Sequence, residues 1–225
     1  MEIRNAGENA VIIYFGTVPG PETLAQVRRA VALLEHHEAI PILDLIPSYA
    51  SLVVVYRPEQ IARSTLRKAI KETLQSADLK MDNTGNLIVL PAYYAAESGA
   101  DLKTVAATAQ LSVDDVIQLH SEREYLVYTV GFAPGFAYLG DVDPRLSLPR
   151  RSTPRLSVPQ GAIAIALTQT AVYPRTSPGG WHLIGRCPLL LFDPHRNPPM
   201  PIAVGDTVKF RPVSKKEFLR LGGTL

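Results

Sequence analysis

The sequence predicts an α+β chain in two parts: a ferredoxin-like βαββαβ unit over residues 1–90, then a strand-rich barrel or sandwich over residues 91–225. Three observations carry this. In the first 90 residues, short apolar runs alternate with stretches of helical period, in the order of the split βαβ motif. From Pro134 onward helical period is lost up to the C-terminus, and 13 of the 19 prolines fall there, between short β-rich runs. Many short strands punctuated by turns point to an all-β architecture. The composition, 46% hydrophobic and 20% charged, suits a buried core and excludes a disordered or fibrous chain.

Ala10–Phe15 is rich in β-branched and aromatic residues and reads as the first strand, followed by a turn over Gly16–Gly20. A helix follows from Pro21 to His36, with proline at its start, where a missing N–H costs little. Leu24, Val27, Val31 and Leu34 make its apolar face. Ile42–Ile46 and Leu52–Tyr56 read as two strands joined by a turn over residues 47–50. A second helix starts near Pro58 and carries Ala62, Leu66, Ile70 and Leu74, and Asn86–Leu90 is the last strand of the unit. Beyond Pro91, Asp101 is placed to cap a helix over Leu102–Ala109, and Ser112 with Asp115 forms a capping box for a helix through His120. Strands are expected at Tyr125–Val130, Ala162–Leu167, Leu189–Phe192 and Thr207–Phe210, and a last helical turn at Ser214–Leu221.

Several classes of function are excluded. No apolar run approaches the ~20 residues that span a bilayer, and Met1–Asn5 lacks a secretory profile. The expectation is a cytoplasmic protein without a membrane partner. A single cysteine leaves no internal disulfide or Cys-rich zinc site. No metal site is expected; His36 and His37 read as a solvated helix end. There is no phosphate-binding loop, dinucleotide fingerprint or nucleophile elbow. Charge is uneven: residues 86–143 carry two basic and eight acidic side chains, residues 144–225 twelve basic and three acidic. From Pro144 to Phe192 there are six arginines and no acid. Scattered single arginines suit a carboxylate or phosphate on a small molecule, or pairing with the acidic stretch. Without a recognition helix or an aromatic-interleaved basic stripe, nucleic acid is not the expected partner.

Four places carry candidate chemistry. His120 shares its helix's buried face with Val113 and Ile117 and ends that helix, so burial and the helix dipole act on it in opposite directions; it is either a proton-transfer group or a core histidine. Gly131–Gly140 packs three glycines, a proline and three aromatics into ten residues, fit for a pocket wall or a tight barrel corner. Pro149–Arg155 presets arginines on a proline-restricted backbone. Tyr173–Trp181 ends in Pro-Gly-Gly-Trp, which places the only tryptophan at a loop rim or lid. Cys187 reads as a buried, inert thiol.

These motifs, in this order, resemble one family: Leu119-His120-Ser121, Gly131–Leu139, Pro149–Arg155, Val158-Pro159-Gln160-Gly161, Gln169-Thr170, Tyr173-Pro174, Ser177–Trp181 and Ile184-Gly185-Arg186. It is the KipI and allophanate hydrolase subunit 1 family, which includes the B subunits of 5-oxoprolinase, and the resemblance covers essentially the whole chain. It implies that the second part is a cyclophilin-like β-barrel. It also implies an ATP-dependent opening of 5-oxoproline to glutamate, in complex with a carboxyltransferase-related C-like subunit and an A-like subunit. A second family role is inhibition of a sensor histidine kinase, and a third relation is to carboxyl transfer. ATP is then the co-substrate, held with the partner subunit, and no metal or organic cofactor is implied. On this reading His120 and Arg155 are the catalytic candidates. The substrate-binding candidates are Phe132, Pro134, Gly135, Arg151, Gln169, Tyr173, Ser177, Gly179, Gly180, Trp181 and Arg186, with Arg151, Arg155 and Arg186 clamping anionic groups. The chain departs from the family at Tyr93–Leu102, where a glycine pair is missing, and at Ala162, where serine is usual.

Overall fold

The structure, a computed structural model, describes residues 1–35, 37–76 and 85–225. His36 therefore lies outside the described residues. The chain forms two compact units, Met1–Thr84 and Gly85–Leu225.

The first unit is a four-stranded antiparallel sheet with two helices. Its elements are β1 (Glu2–Asn5), β2 (Ala10–Tyr14), α1 (Pro21–Glu35), β3 (Ile42–Ser48), β4 (Ser51–Tyr56) and α2 (Arg63–Ser76). The sheet order is β1-β2-β4-β3. This is the ferredoxin-like arrangement with one substitution. The edge place beside β2, expected for the strand at residues 86–90, is taken by β1, which pairs Glu2 with Tyr14 through Asn5 with Val11. β1 buries only Ile3, so its sequence shows no alternation from which a strand can be read. Helix α1 buries Leu24, Val27, Ala30 and Leu34, close to the predicted face. Helix α2 starts at Arg63 rather than near Pro58, because residues 57–60 close a turn in which Gln60 N–H donates to the Arg57 carbonyl.

The second unit begins with the strand expected to end the first. Its elements are β5 (Leu87–Ala92), α3 (Leu102–Ala109), α4 (Val113–Ser121), β6 (Glu124–Val130), β7 (Ala137–Gly140), β8 (Arg155–Val158), β9 (Ala162–Ala166), β10 (Gln169–Val172), β11 (Ser177–Gly179), β12 (His182–Arg186), β13 (Thr207–Pro212) and α5 (Lys215–Arg220). Seven strands form one sheet in the order β12-β9-β10-β7-β6-β13-β5, and β8 and β11 pair separately. β5 lies parallel to β13, Leu87 opposite Thr207. A bridge between Tyr93 and Arg186 joins the two ends of the seven-stranded sheet. Its two hydrogen bonds, 2.8 and 2.9 Å, leave a nearly closed, barrel-like sheet.

Helices α3 and α4 cover one face of this sheet through Leu102, Val105, Ala106 and Val116. The predicted capping box is present: Ser112 Oγ accepts from Asp115 N–H, and the Asp115 carboxylate accepts from Ser112 N–H. Asp101, in contrast, makes no side-chain cap. Leu189–Phe192 is not a strand. Pro188 precedes it, Leu189 and Leu190 stay partly exposed, and Leu191 alone enters the core. β7, β8, β10, β11 and β12 are further strands, three to five residues long, beyond those expected from the sequence.

Candidate functional site

Strand β9, Ala162-Ile163-Ala164-Ile165-Ala166, is fully buried and splits the unit's core in two. Side chains alternate across a strand. Ile163 and Ile165 join the core beneath α3 and α4, together with Leu139 of β7 and Val172 of β10. Ala162, Ala164 and Ala166 join a second cluster on the other face, with Ala171, Phe136, Tyr173, Trp181 and Leu183. The alanines leave volume there that aromatic rings occupy in part. Phe136 is the hub. Its ring lies edge-on to Tyr138 at 4.9 Å, Tyr173 at 5.2 Å, Phe132 at 5.2 Å and Trp181 at 5.8 Å between centroids. Such edge-to-face contacts are favourable beyond simple area burial.

These rings surround a cavity of about 150 Å³, whose remaining lining is Arg150, Pro178, Gly179 and Gly180. Of the predicted residues, Phe132, Tyr173, Gly179, Gly180 and Trp181 are thus brought together, and Phe136, Tyr138 and Arg150 are added. Trp181 is a buried wall, 5% exposed, and not a surface lid. Phe132 is 63% exposed and has φ +71°, a left-handed conformation uncommon for a bulky residue, of the kind that clusters at binding sites. A Cβ on Gly179 would run into the Tyr173 hydroxyl, so the wall closes this tightly only with glycine there. Burial pushes the Tyr138 and Tyr173 phenols up from their ordinary value. Both remain protonated at neutral pH.

The arginines divide. Arg151 Nη1 and Arg155 Nη2 both donate to Asp101 Oδ1, at 2.9 and 2.8 Å, and Leu183 N–H donates to Oδ2 at 2.8 Å. Burial pushes the Asp101 carboxyl up, but these hydrogen bonds and the two guanidinium charges outweigh it and hold it below its ordinary value. Asp143 likewise binds Arg145 and approaches Arg123. Three of the six arginines in the acid-free stretch therefore neutralise the acidic segment before it. Arg186 is desolvated and donates from Nη1 to the Thr224 carbonyl at 2.6 Å, and it does not line the cavity. Arg150 is exposed and makes no ion pair or hydrogen bond among the described residues. Its flanks are fixed: His182 Nε2 donates to the Pro149 carbonyl at 2.8 Å, and Arg151 N–H donates to the Gly180 carbonyl at 2.8 Å.

His120 is 0% exposed and lies on the isoleucine face. Thr170 Oγ1 donates to the Ala164 carbonyl, so it accepts from His120 Nε2 at 2.8 Å. Nδ1 then accepts from the Tyr94 hydroxyl at 2.7 Å. The chain of donors runs one way, Tyr94 to His120 to Thr170 to Ala164, with each proton used. Burial pushes the imidazole down to about 3, so it is neutral. Tyr125 and Phe210 pack on the ring at 5.3 and 4.6 Å between centroids. His120 is not in the cavity lining.

Gly135 has φ +83°, and a Cβ there would lie 2.8 Å from the Leu191 carbonyl oxygen, so it shapes the loop that carries Phe132 and Phe136. Pro134 is exposed beside it; Gln169 and Ser177 are half-buried in β10 and β11. None of these four lines the cavity. Cys187 is buried, and burial pushes its thiol up to about 12. Sequence reasoning missed the roles of Asp101, Phe136, Tyr138 and Arg150. The alternation of alanine and isoleucine in β9 marks the two faces, but no local signal separates Arg150 from Arg151.

A half-open aromatic cavity set in a nearly closed sheet, with an unpaired cation in its lining, is the candidate ligand site of this barrel-like unit. Comparison with known proteins makes the assignment specific. The family model of the carboxyltransferase domain, subdomain C and D, matches residues 1–202, and the chain belongs to this family. It is 36% identical to the B subunit of the 5-oxoprolinase of Bacillus subtilis over 227 residues, covering 96% of this chain and 95% of that one. It is 39% identical to the B subunit of the 5-oxoprolinase of Escherichia coli O157:H7 over 208 residues, covering 92% and 93%. The crystal structure of TTHA0988 superposes with a TM-score of 0.81 at 32% identity, covering 95% of this chain; the chain spans 40% of that longer one.

Proposed function

We propose that the chain is the B subunit of an ATP-dependent 5-oxoprolinase, which opens the five-membered lactam of 5-oxoproline to glutamate. The observation that carries this is end-to-end similarity to proteins named as that subunit, at 36% and 39% identity. It works in the cytoplasm within a complex that contains a C-like carboxyltransferase-related subunit and an A-like subunit.

In the chemistry of this reading, the γ-phosphoryl group of ATP passes to the lactam oxygen and ADP leaves. Water adds at the activated carbon, the C–N bond breaks and the nitrogen takes a proton, which leaves a γ-glutamyl phosphate; a second water hydrolyses this acyl phosphate to the γ-carboxylate and phosphate. The aromatic cavity suits the ring and not the nucleotide. About 150 Å³ is the volume of a site that holds a benzene-sized molecule, and larger ligands need roughly 300 Å³ or more. ATP is therefore bound with the partner subunits. Phe132, Tyr173, Gly179, Gly180 and Trp181 face the ring, while Pro134, Gly135, Gln169 and Ser177 hold the surrounding loops and strands. Arg151 and Arg155 act through Asp101 as positioning residues. Arg186 closes the sheet, and His120 fixes β10 from behind.

The test is 5-oxoproline-dependent ATP hydrolysis, first with this chain alone and then with its cognate partner subunits. Turnover only in the reconstituted mixture is the expected result. No turnover in a mixture whose assembly is confirmed by size would overturn the reading in favour of kinase binding or carboxyl transfer.

A further inference from the structure

Of the six arginines in the acid-free stretch, Arg145, Arg151, Arg155 and Arg186 have partners, and of the two without one among the described residues, Arg150 and Arg175, only Arg150 lines the cavity. Arg150 lines the cavity, and no acid competes for it among the described residues. Its backbone is held on both sides, through Pro149 and Arg151, by the segment that carries Gly180, Trp181 and His182. Ordering the guanidinium on a ligand thus involves its side chain only, since the chain beneath it is already placed. The rest of the lining includes the rings of Phe136, Tyr173 and Trp181. Flat, apolar walls and one free guanidinium define a complementary ligand: a small ring bearing a carboxylate. Arginine engages a carboxylate through two parallel N–H donors, which fixes the orientation of the ring as well as its charge.

Resting on the functional reading above, we propose that Arg150 is the carboxylate-binding, specificity-determining residue of this cavity, which receives a five-membered ring carrying a carboxylate. The Tyr173 phenol lines the same wall and adds an O–H donor for a polar ring substituent such as a lactam oxygen. A larger concavity of about 390 Å³, lined by Thr108, Pro149, Arg151 and His182, meets the first at Arg150. Arg150 therefore stands between the ring site and a neighbouring space large enough for a second reactant.

The experiment uses two readouts. In the reconstituted complex, the KM for 5-oxoproline is measured for the native chain, Arg150→Ala and Arg150→Lys. Arg150→Ala is expected to raise KM at least tenfold with a much smaller fall in kcat, and Arg150→Lys to recover part of the loss. In the full chain alone, Trp181 is the single tryptophan and lies in the cavity wall. Its emission is expected to change saturably with 5-oxoproline, to respond at least tenfold more weakly to 2-pyrrolidone, which lacks the carboxylate, and to lose the response in Arg150→Ala. A KM unmoved in Arg150→Ala, in a complex that turns over, overturns the assignment and leaves the functional reading intact. A complex that does not turn over removes the functional reading, and the tryptophan titration then decides the site alone: loss of the response in Arg150→Ala sustains it, and no response in the native chain overturns it. Both variants are expected to fold, because Arg150 is exposed and supports no other side chain among the described residues.

Discussion

The two faces of β9 and β10 carry similar residues and opposite designs. On the isoleucine face, Tyr94, His120, Tyr125 and Phe210 form an aromatic cluster with polar groups, and every hydrogen-bonding group of the histidine ring is used. On the alanine face, Phe132, Phe136, Tyr138, Tyr173 and Trp181 form another, with a cavity between the rings and a cation left unpaired beside it. The difference comes from the strand itself. Isoleucine fills its side and alanine does not. A buried polar chain that is complete stabilises one arrangement and has nothing left to offer a ligand. An aromatic cluster that is incomplete has contact surface and charge to offer. Conspicuous chemistry in a sequence, a histidine at a helix end or a run of arginines, does not say on which face it falls.

Three experiments sharpen that contrast. The largest effect is expected from Asp101→Ala, which strands two guanidiniums that share one carboxylate oxygen. Removing one partner of such a buried group costs about 3 kcal/mol, measurable by urea denaturation. Because Arg151 also donates to Gly180, the same variant is expected to loosen the cavity wall, seen as increased quenching of Trp181 by acrylamide. A loss under about 0.5 kcal/mol, the range of ordinary surface changes, would mean that the arginines find other partners and the wall does not depend on Asp101.

A second test addresses the closed face through pH. The folded His120 has its pKa near 3, below the unfolded value of about 6.5. The unfolded chain therefore binds a proton that the native one does not. Its contribution is complete above pH 6.5 and is lost as pH falls, by about 1.4 kcal/mol per unit, until the folded pKa is reached. Urea midpoints at pH 7, 6 and 5 for the native chain and His120→Gln are expected to diverge in slope by that amount. Parallel slopes would show that His120 is accessible and titrates normally, which would return it to the candidates for proton transfer.

The smallest effect distinguishes two adjacent glycines of the open face. Gly179→Ala is expected to cost about 1 kcal/mol by overpacking and to weaken ring binding, since its Cβ meets the Tyr173 hydroxyl. Gly180→Ala places its Cβ 3.7 Å from Pro154, an ordinary contact, and is expected to stay within about 0.5 kcal/mol of the native chain. Thermal unfolding of the two variants checks the order; equal effects would mean that the wall repacks.

The sequence shows helices, capping signals and the long strands because those depend on neighbours a few residues away. Ser112 and Asp115 find each other within one turn, so their box is readable. What escapes it is partner choice over long separations. Leu87–Ala92 reads as a strand whichever sheet it joins, and only the register with Thr207–Pro212 decides. Asp101 looks like a helix cap, yet arginines 50 and 54 residues away claim its carboxylate. The family motifs include the loops that line the cavity, but Arg150 and Arg151 are alike until their partners are known.

The bridge between Tyr93 and Arg186 has a consequence for synthesis on the ribosome. β5 emerges first of the barrel strands, yet its parallel neighbour β13 is the last of them, and its other contact waits for Arg186. Until residue 212 is made, one bridge is all that the edge of β5 has in this sheet, and before Arg186 emerges it has none. An unpaired strand edge is a template for joining other chains. The nascent second unit therefore carries an unpaired strand edge from its start almost to its end.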